Sequence, residues 1–221
     1  MNNDSGFIFD MDGVIFDTER LWKQAFECAN KKFSLPLSEK YRQSICGKNE
    51  IAIRKELRHL FPDVDADEYR EFTLNYVCNR IDKGDFKIKE GFIETISFLK
   101  EKGFKTALAT SSHRERAFKL FLLKRIEINR VFDAAIFSED VGSSSKPDPY
   151  IFMTAAKAMD IPPECCFVVE DSINGIEAAH RGGFMPIMAV DLIEPDSFCR
   201  EHAFAIINDL SELKLIAGKL L

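Results

Sequence analysis

The chain has 221 residues, of which 46% are hydrophobic and 30% charged, with a formal net charge of -6. This composition is typical of globular proteins and excludes the disordered and fibrous classes. The acidic balance provides no basic surface for nucleic acid, and no segment approaches the roughly 18 uninterrupted apolar residues of a membrane span. We therefore expect a small-molecule partner. An anionic substrate would have to be captured by a metal ion or by a few placed cations.

The N-terminal segment MNNDSGFIFD lacks the basic flank and the long apolar region of a signal peptide. The six cysteines include no C-x-x-C pair, so no zinc site is predicted. Both observations favour a reducing cytoplasm as the location. The sequence has no exposed apolar heptad seam, and we expect a monomer.

The first predicted element is a buried strand over residues 6–10, GFIFD, which ends in Asp10. The pattern then changes from Asp17 to about Lys87, where stretches such as ERLWKQAFECANKKF repeat apolar residues every three or four positions. No strand is predicted in this interval. We expect residues 17–87 to form an inserted helical bundle that caps the carboxyl ends of the strands.

The rest of the chain alternates short apolar runs with amphipathic stretches. The runs predict strands over residues 105–110, 134–138, 166–170, 186–190 and 203–207, and the stretches predict helices over residues 90–102, 113–125, 149–160, 173–182 and 209–219. Almost continuously apolar strands are typical of a parallel sheet buried on both faces. The predicted fold is therefore α/β, with a doubly wound, Rossmann-like, mostly parallel sheet. Residues 1–16 and 88–221 would form the catalytic core and residues 17–87 the cap.

Polar side chains follow the predicted strands at the points where they end. They are Asp10 and Asp12, Thr110 and Ser111, Lys146 in a later loop, and Glu170 and Asp171. Because the carboxyl ends of parallel strands meet at one edge, we expect these side chains to converge. Four carboxylates in one place repel each other unless a cation lies among them. Oxygen ligands without nearby histidine or thiol spacing favour Mg²⁺ over Zn²⁺.

The spacing of Asp10 and Asp12 predicts different roles for the two acids. Residues two apart on an extended chain point the same way and lie roughly 6.6 Å apart. One carboxylate can then contact a phosphorus atom while the other reaches the ester oxygen beyond it. A nucleophile has to be ionised, and a metal with Lys146 would keep Asp10 so. An acid has to be protonated, and we expect Asp12 to lie farther from those cations.

Several of these residues also have structural interpretations. A lone D-x-D before glycine is more often a turn than a site. Ser112 with Glu115 three residues later has the spacing of a capping box, so we expect Ser112 to cap a helix and not to bind ligand. Asp148 before Pro149 is typical of a helix start, with proline at the first helical position.

Four stretches, DMDGVIFDTE, LATSS, SKPDPYIF and VVEDSINGIEAA, resemble in order and context the four motifs of the haloacid dehalogenase superfamily. They are most similar to those of its phosphatases and of mutases related to beta-phosphoglucomutase. The resemblance covers the whole predicted core, whereas the cap is similar only in position, size and helical character. The dehalogenases lack the second aspartate of the first motif, so Asp12 favours phosphoryl transfer.

The resemblance implies a role for each matching residue. Asp10 is the expected nucleophile that forms an aspartyl-phosphate, and Asp12 is expected to protonate the leaving alcohol and then deprotonate the attacking water. Thr110 and Ser111 would hold phosphate oxygens, and Lys146 would orient Asp10 and neutralise phosphate charge.

The same resemblance implies Mg²⁺ as cofactor, with a ligand set of Asp10, the backbone carbonyl of Asp12, Glu170 and Asp171. Ser172 and Asn174 would support these ligands from behind. This expectation agrees with the chemistry, because phosphoryl transfer requires mainly positioning and charge neutralisation.

The cap departs from the mutase pattern. Where the mutase has a histidine five residues after the last aspartate of the first motif, this chain has Trp22. The mutase's arginine after the glycine loop of the cap is also missing, because GKNEIAIRKEL offers Lys48, Asn49 and Glu50, with Arg54 a turn further. Trp22 and Lys48 are therefore the candidate substrate-binding residues of the cap.

These departures favour a Mg²⁺-dependent phosphomonoester hydrolase acting on a small phosphorylated metabolite such as a sugar phosphate. Three alternatives stay open. A phosphosugar mutase would need a bisphosphorylated primer, and a phosphonate hydrolase would need a cap lysine such as Lys23 or Lys48. A receiver-like signalling module would place its acidic pair before the phosphorylated aspartate, whereas Glu170 and Asp171 come last.

Overall fold

The structure is a computed structural model that describes residues 5–35 and 37–221. Its strands are β1 (Gly6–Phe9), β2 (Lys105–Ala109), β3 (Ala134–Ile136), β4 (Cys166–Glu170), β5 (Met185–Ala189) and β6 (Ala205–Ile207). Its helices are α1 (Glu19–Phe33), α2 (Glu39–Ile45), α3 (Glu50–Leu60), α4 (Ala66–Asp82), α5 (Phe92–Glu101), α6 (Arg114–Leu123), α7 (Ile128–Val131), α8 (Ser138–Val141), α9 (Tyr150–Met159), α10 (Ile173–Arg181), α11 (Ser197–His202) and α12 (Leu213–Gly218). None of these helices is long and apolar enough to cross a membrane.

The six strands form one sheet in the order β3-β2-β1-β4-β5-β6, and every neighbouring pair is parallel. The chain winds outward from β1 through β2 to β3, then returns to the other side of β1 to continue through β4. The predicted doubly wound α/β sheet is confirmed. Ligands of such sheets bind beyond the carboxyl ends of the strands where the winding changes direction, which here is next to β1.

The central strand β1 is buried on both faces. Phe7 stacks on Phe167 with ring centroids 4.9 Å apart and meets the edge of Phe104 at 5.3 Å on one face of the sheet. Ile8 packs into a second cluster, which contains Phe152, on the other face. This alternation explains why the run is continuously apolar. Because Phe9 is the last residue of this buried strand, Asp10 follows directly at its carboxyl end.

Helices α1 to α4 lie between β1 and α5, in the interval expected to form the cap. They enclose a hydrophobic cluster of their own that includes Phe26, Leu57 and Tyr69. The chain enters and leaves this region side by side, because the Asp17 amide donates to the Lys87 carbonyl at 3.1 Å. A division of the chain at residues 16/17 and 87/88 remains a prediction.

The element boundaries differ from the predicted ones in small ways that matter for the site. β1 ends one residue earlier than predicted, so Asp10 lies just beyond it, and Ser138 begins a helix instead of ending β3. Helix α9 begins at Tyr150 with Pro149 as its N-cap, while Asp148 Oδ1 accepts from the Tyr150 amide at 2.9 Å. Helices α7, α8 and α11 were not predicted, because four to six residues are too few to show a helical period.

The aromatic packing beneath the entry to the cap yields a stability prediction. Phe121 of α6 is 1% exposed and meets the ring of Phe16 at 4.9 Å, whereas its neighbour Leu122 is 76% exposed. We expect Phe121→Ala to lower the free energy of unfolding by about 3–5 kcal/mol, because it leaves a cavity. Leu122→Ala should change it by less than about 0.5 kcal/mol. Urea unfolding measures both, and similar losses would contradict the packing described.

Candidate active site

A cavity of about 390 Å³ opens at the carboxyl edge of the sheet beneath the cap helices. The predicted site residues on its wall are Asp10, Asp12, Trp22, Lys48, Thr110, Ser111 and Asp171. Lys146 and Glu170 lie next to Asp10. The structure therefore brings together residues from three neighbouring strand ends and from the cap.

Lys146 is the central cation of the site, with a fully buried side chain. Its Nζ donates to Asp10 Oδ1 at 2.6 Å and forms a second ion pair with Glu170. Burial by itself lowers the pKa of Lys146, but the two carboxylates raise it above its usual value. The lysine is therefore protonated at neutral pH and orients the Asp10 carboxylate.

Two carboxylates at the site have raised pKa values. Burial raises the pKa of Asp10 to about 7 against the effect of Lys146, with Glu170 adding to the rise. Burial, with Glu19 and Glu170 nearby, also raises the pKa of Asp171 well above its usual value. Among the described residues no side chain donates a hydrogen bond to the Asp171 carboxylate or pairs with it. Three buried carboxylates, those of Asp10, Glu170 and Asp171, therefore lie near a single buried ammonium group in the described part of the chain, that of Lys146.

The Glu170 carboxylate is held by hydrogen bonds and an ion pair at both oxygens. Its Oε2 accepts from the backbone amides of Asp171 at 3.0 Å and Ser172 at 2.9 Å, and from the Ser172 hydroxyl at 2.9 Å. Its Oε1 pairs with Lys146. Gly175 makes room for this arrangement, because a Cβ there would lie 1.9 Å from the Glu170 carboxyl carbon. Glu170, expected as a metal ligand, thus has both oxygens engaged and holds Lys146, while Ser172 supports Glu170.

The residues near Asp10 fit a magnesium ion. In the described ranges no group of three or more His, Cys, Asp or Glu side chains has the arrangement of a metal cluster. Mg²⁺ is usually held by only one or two carboxylates, with water and substrate phosphate completing its shell. Asp10 and Asp171 supply two buried carboxylates with excess negative charge. A Cβ on Gly13 would lie 2.1 Å from Asp171 Oδ2, so only glycine lets the backbone approach this closely.

Asp12 is held by a cation that the sequence did not reveal. Arg116 Nη1 donates to Asp12 Oδ2 at 2.7 Å and Nη2 to Oδ1 at 2.6 Å, and the Thr18 hydroxyl also donates to Oδ1. Burial opposes the effect, but Arg116 lowers the pKa of Asp12 below its usual value. Asp12 was expected to be protonated because it lies farther than Asp10 from Lys146 and the metal; the Arg116 guanidinium, a different cation, instead favours its ionised form.

Ser112 is part of the same group of contacts. Its hydroxyl donates to Asp12 Oδ2 at 2.9 Å and accepts from Arg116 Nη1 at 2.6 Å. The N-cap of α6 is His113, which makes no side-chain capping bond, so the predicted capping role of Ser112 is wrong. Ser112 lies two residues before α6 and Arg116 lies in the first turn of α6, so a residue in that turn is where the sequence could have indicated a partner for Ser112.

Hydrogen bonds join the site to the cap. Ser111, expected to hold phosphate, donates its hydroxyl to the Gly47 carbonyl at 2.7 Å. Asn174, expected to support the metal ligands, donates instead to the Cys46 carbonyl at 2.7 Å. Thr110 is buried at the cavity wall, where its hydroxyl accepts from the Ser112 amide at 3.1 Å. Of the predicted hydroxyl groups, Thr110 is therefore the better placed for a phosphate.

The cap wall carries both predicted substrate-binding residues. Two guanidinium groups lie near the ring of Trp22, that of Arg70 5.4 Å and that of Arg116 5.3 Å from its centroid. Lys48 Nζ donates to Glu56 Oε2 at 2.6 Å. An apolar ring and paired charges thus line the same cavity as Asp10, Asp12 and Asp171.

Comparison with known proteins identifies the family. The family model for haloacid dehalogenase-like hydrolases matches residues 5–183. The chain belongs to the haloacid dehalogenase-like hydrolases. The resemblance expected from the four motifs is confirmed, and with it the assignment of the chain to an enzyme family.

Relatives of this haloacid dehalogenase-like hydrolase match most of its length. A phosphorylated carbohydrates phosphatase from Thermotoga maritima is 32% identical over 183 residues, which are 83% of each chain. A hydrolase from Pseudomonas syringae superposes with a TM-score of 0.83 at 22% identity, over 97% of this chain and 98% of that one. A beta-phosphoglucomutase from Clostridium difficile superposes with a TM-score of 0.79 at 22% identity, over 100% and 97% of the two chains. The two structures show the shared fold.

The buried acid at residue 171 of this haloacid dehalogenase-like hydrolase yields a prediction. The folded-state pKa of Asp171 is raised, so the metal-free protein should lose stability as the pH rises above the unfolded-state value of 3.8. We expect Asp171→Asn to raise the free energy of unfolding at pH 8 by at least about 1 kcal/mol, because it removes a buried charge. It should also flatten the pH dependence.

The measurement is urea unfolding in chelator between about pH 5 and pH 8, a range that lies above the unfolded-state pKa of 3.8 at which the penalty begins to grow. Asp63→Asn, at an exposed position, removes the same charge and should leave both quantities unchanged. A destabilised Asp171→Asn protein with the wild-type pH dependence would show that the carboxylate carries no such penalty.

Proposed function

We propose that this enzyme is a Mg²⁺-dependent phosphomonoester hydrolase that acts on a small sugar phosphate through an aspartyl-phosphate on Asp10. The observation that carries the proposal is the buried Asp10 carboxylate, oriented by Lys146 at 2.6 Å on the wall of a cavity that also presents Asp12. The 32% identical phosphorylated carbohydrates phosphatase supports the substrate class.

The first half-reaction forms the intermediate. A carboxylate oxygen of Asp10 attacks the phosphorus atom, the bond from phosphorus to the ester oxygen breaks, and Asp12 gives a proton to the leaving alcohol. Lys146 orients Asp10 and favours its ionised form, and the Thr110 hydroxyl donates to a phosphate oxygen. Bound Mg²⁺, held by Asp10, Asp171 and the Asp12 carbonyl, would supply neutralisation of phosphate charge.

The second half-reaction returns the enzyme to its starting state. Asp12 takes a proton from water, the water oxygen bonds to phosphorus, and the bond between phosphorus and Asp10 breaks to release inorganic phosphate. The Arg116 pair favours the ionised Asp12 that this step needs. For the first half-reaction Asp12 has to carry a proton, so we infer that the pair with Arg116 loosens when substrate fills the cavity.

The alternatives make different demands on the same residues. A phosphosugar mutase would share the aspartyl-phosphate but return the phosphoryl group to the sugar. A receiver-like module would have no use for a cavity of about 390 Å³ under a helical cap. On the cap, Trp22 offers a ring face to the carbon-bound hydrogens of a sugar, and Lys48 is within the same wall.

Loss of the nucleophile tests the reaction. We expect Asp10→Asn to lower Mg²⁺-dependent phosphate release from a panel of sugar phosphates by at least about 10³-fold, because an amide cannot form the intermediate. Chelation should abolish release by the wild type. Asp63→Asn, exposed and outside the cavity, is the control expected to retain activity. Phosphate release that persists in Asp10→Asn, or that is unaffected by chelator, would contradict the mechanism.

The same assay separates the mutase alternative. A mutase should release little phosphate and should require a bisphosphorylated sugar primer to interconvert sugar monophosphates. Continuous phosphate release without primer therefore supports hydrolysis.

The contact between Arg116 and Asp12 is tested by changing the leaving group. p-Nitrophenolate leaves without protonation, whereas a sugar alcohol needs the proton from Asp12. We expect Arg116→Met to lower kcat/KM for sugar phosphates about 10- to 100-fold and kcat/KM for p-nitrophenyl phosphate much less, because kcat/KM covers only the steps up to release of the alcohol and Asp12 is no longer positioned for them. Arg114→Met, two residues away and paired with Asp140 outside the site, should change neither. Equal losses on both substrates would assign Arg116 a merely structural role.

A further inference from the structure

The cavity is lined by cations that are already neutralised. In the part of the chain that the structure describes, each lysine and arginine on the wall lies within ion-pair distance of a carboxylate. These residues are Arg42, Lys48, Arg70, Arg116 and Lys119. Six carboxylates line the same wall, namely Asp10, Asp12, Glu19, Glu50, Glu115 and Asp171. The cavity therefore offers no cation that is free to bind a second anionic group.

The cap pair nearest to Trp22 joins Arg70 of α4 to Glu50 of α3. Arg70 is 5% exposed, and its Nε donates to Glu50 Oε2 at 3.1 Å while its Nη2 contacts the other carboxylate oxygen. The guanidinium also lies 5.4 Å from the centroid of the Trp22 ring. Glu50 thus occupies the position beside Trp22 at which Arg70 could otherwise bind an anion.

The other two cap cations are neutralised in the same way. Arg42, 3% exposed, lies 3.7 Å from Glu19 and 2.7 Å from Glu39. Lys48 lies 2.6 Å from Glu56. Each of these cap cations has its carboxylate partner within the cap itself. The cap surface of the cavity therefore combines apolar side chains, such as Phe26 and Ile53, with cations that each have a carboxylate partner.

We propose that the cap selects an uncharged polyol as the leaving group, so that the enzyme accepts sugar monophosphates and rejects sugars that carry a second phosphate. Glu50 is the principal determinant of this selectivity. The inference rests on the proposed phosphatase function and specifies its substrate class. A second phosphate would have to displace the Glu50 carboxylate from Arg70 or lie against it, and like charges in a partly buried wall repel. Sugar hydroxyls can bond to the paired groups without breaking them.

The test compares matched substrates that differ by one phosphate. With the wild-type enzyme and Mg²⁺, we expect kcat/KM for fructose 6-phosphate to exceed that for fructose 1,6-bisphosphate by at least about 10-fold, and likewise for glucose 6-phosphate against glucose 1,6-bisphosphate. For a sugar that is not turned over, its inhibition constant against p-nitrophenyl phosphate hydrolysis gives the same comparison. High salt should bring the ratio of kcat/KM for the monophosphate to that for the bisphosphate closer to one, because the discrimination is electrostatic.

Glu50→Gln makes the role of the pair explicit. The variant keeps the side-chain size, removes the negative charge and leaves Arg70 free to bind phosphate. The ratio of kcat/KM for the monophosphate to that for the bisphosphate should therefore fall about 10-fold. Glu127→Gln removes the same charge from an exposed pair with Arg130 outside the cavity and should leave the ratio unchanged.

The outcomes separate this inference from the function on which it rests. Equal or preferred use of bisphosphates by the wild type overturns the proposed selectivity, whatever the variants do. A folded Glu50→Gln enzyme that keeps the wild-type ratio overturns the role of Glu50. If Glu50→Gln fails to fold, the wild-type ratio and its salt dependence still decide the selectivity. Failure of the phosphatase proposal looks different, because Asp10→Asn would then leave p-nitrophenyl phosphate hydrolysis unchanged.

Discussion

The site depends on one buried ammonium group, that of Lys146, which joins Asp10 to Glu170. Transferring three charges out of water is costly, and removing one partner from such a group leaves an uncompensated charge. The structure lowers the cost by giving Glu170 three further donors from the start of α10. The order of β1 and β4 in the sheet makes this geometry possible, because it places the two carboxylates at neighbouring strand ends.

The buried group formed by Lys146 and its neighbouring carboxylates carries net negative charge. One lysine charge cannot balance Asp10, Glu170 and Asp171 together. Burial raises the pKa of Asp10 and of Asp171, and neighbouring carboxylates add to both rises. A protein selected only for stability would replace one of these acids by a neutral residue. The surplus negative charge, open to the cavity, is the property that suits the site to a divalent cation and, through it, to a phosphate.

Sequence patterns predicted the sheet and the convergence of its strand ends, because buried parallel strands are continuously apolar and their polar ends meet at one edge. They did not predict side-chain direction. Arg116 and Asp12 are 104 residues apart, and only packing of α6 against the first loop brings them together. Ser112 was misassigned because a serine before a helix can cap it or bond elsewhere, and spacing alone does not distinguish the two. Glu170 as a metal ligand stays a prediction, and its side-chain direction, set by the amides of Asp171 and Ser172 and by the Ser172 hydroxyl, has no signal in the sequence.

The two sides of the cavity differ in net charge, and this difference favours hydrolysis over mutase chemistry. The core side, around Asp10 and Asp171, carries uncompensated negative charge that a cation and a phosphate can balance. The cap side pairs each of its cations, as Arg70 with Glu50. A mutase has to hold its bisphosphorylated intermediate in both orientations, so each phosphate in turn lies against the cap. A cap with balanced charge gives that second phosphate no compensation, whereas a hydrolase needs only to hold a neutral alcohol there until it leaves.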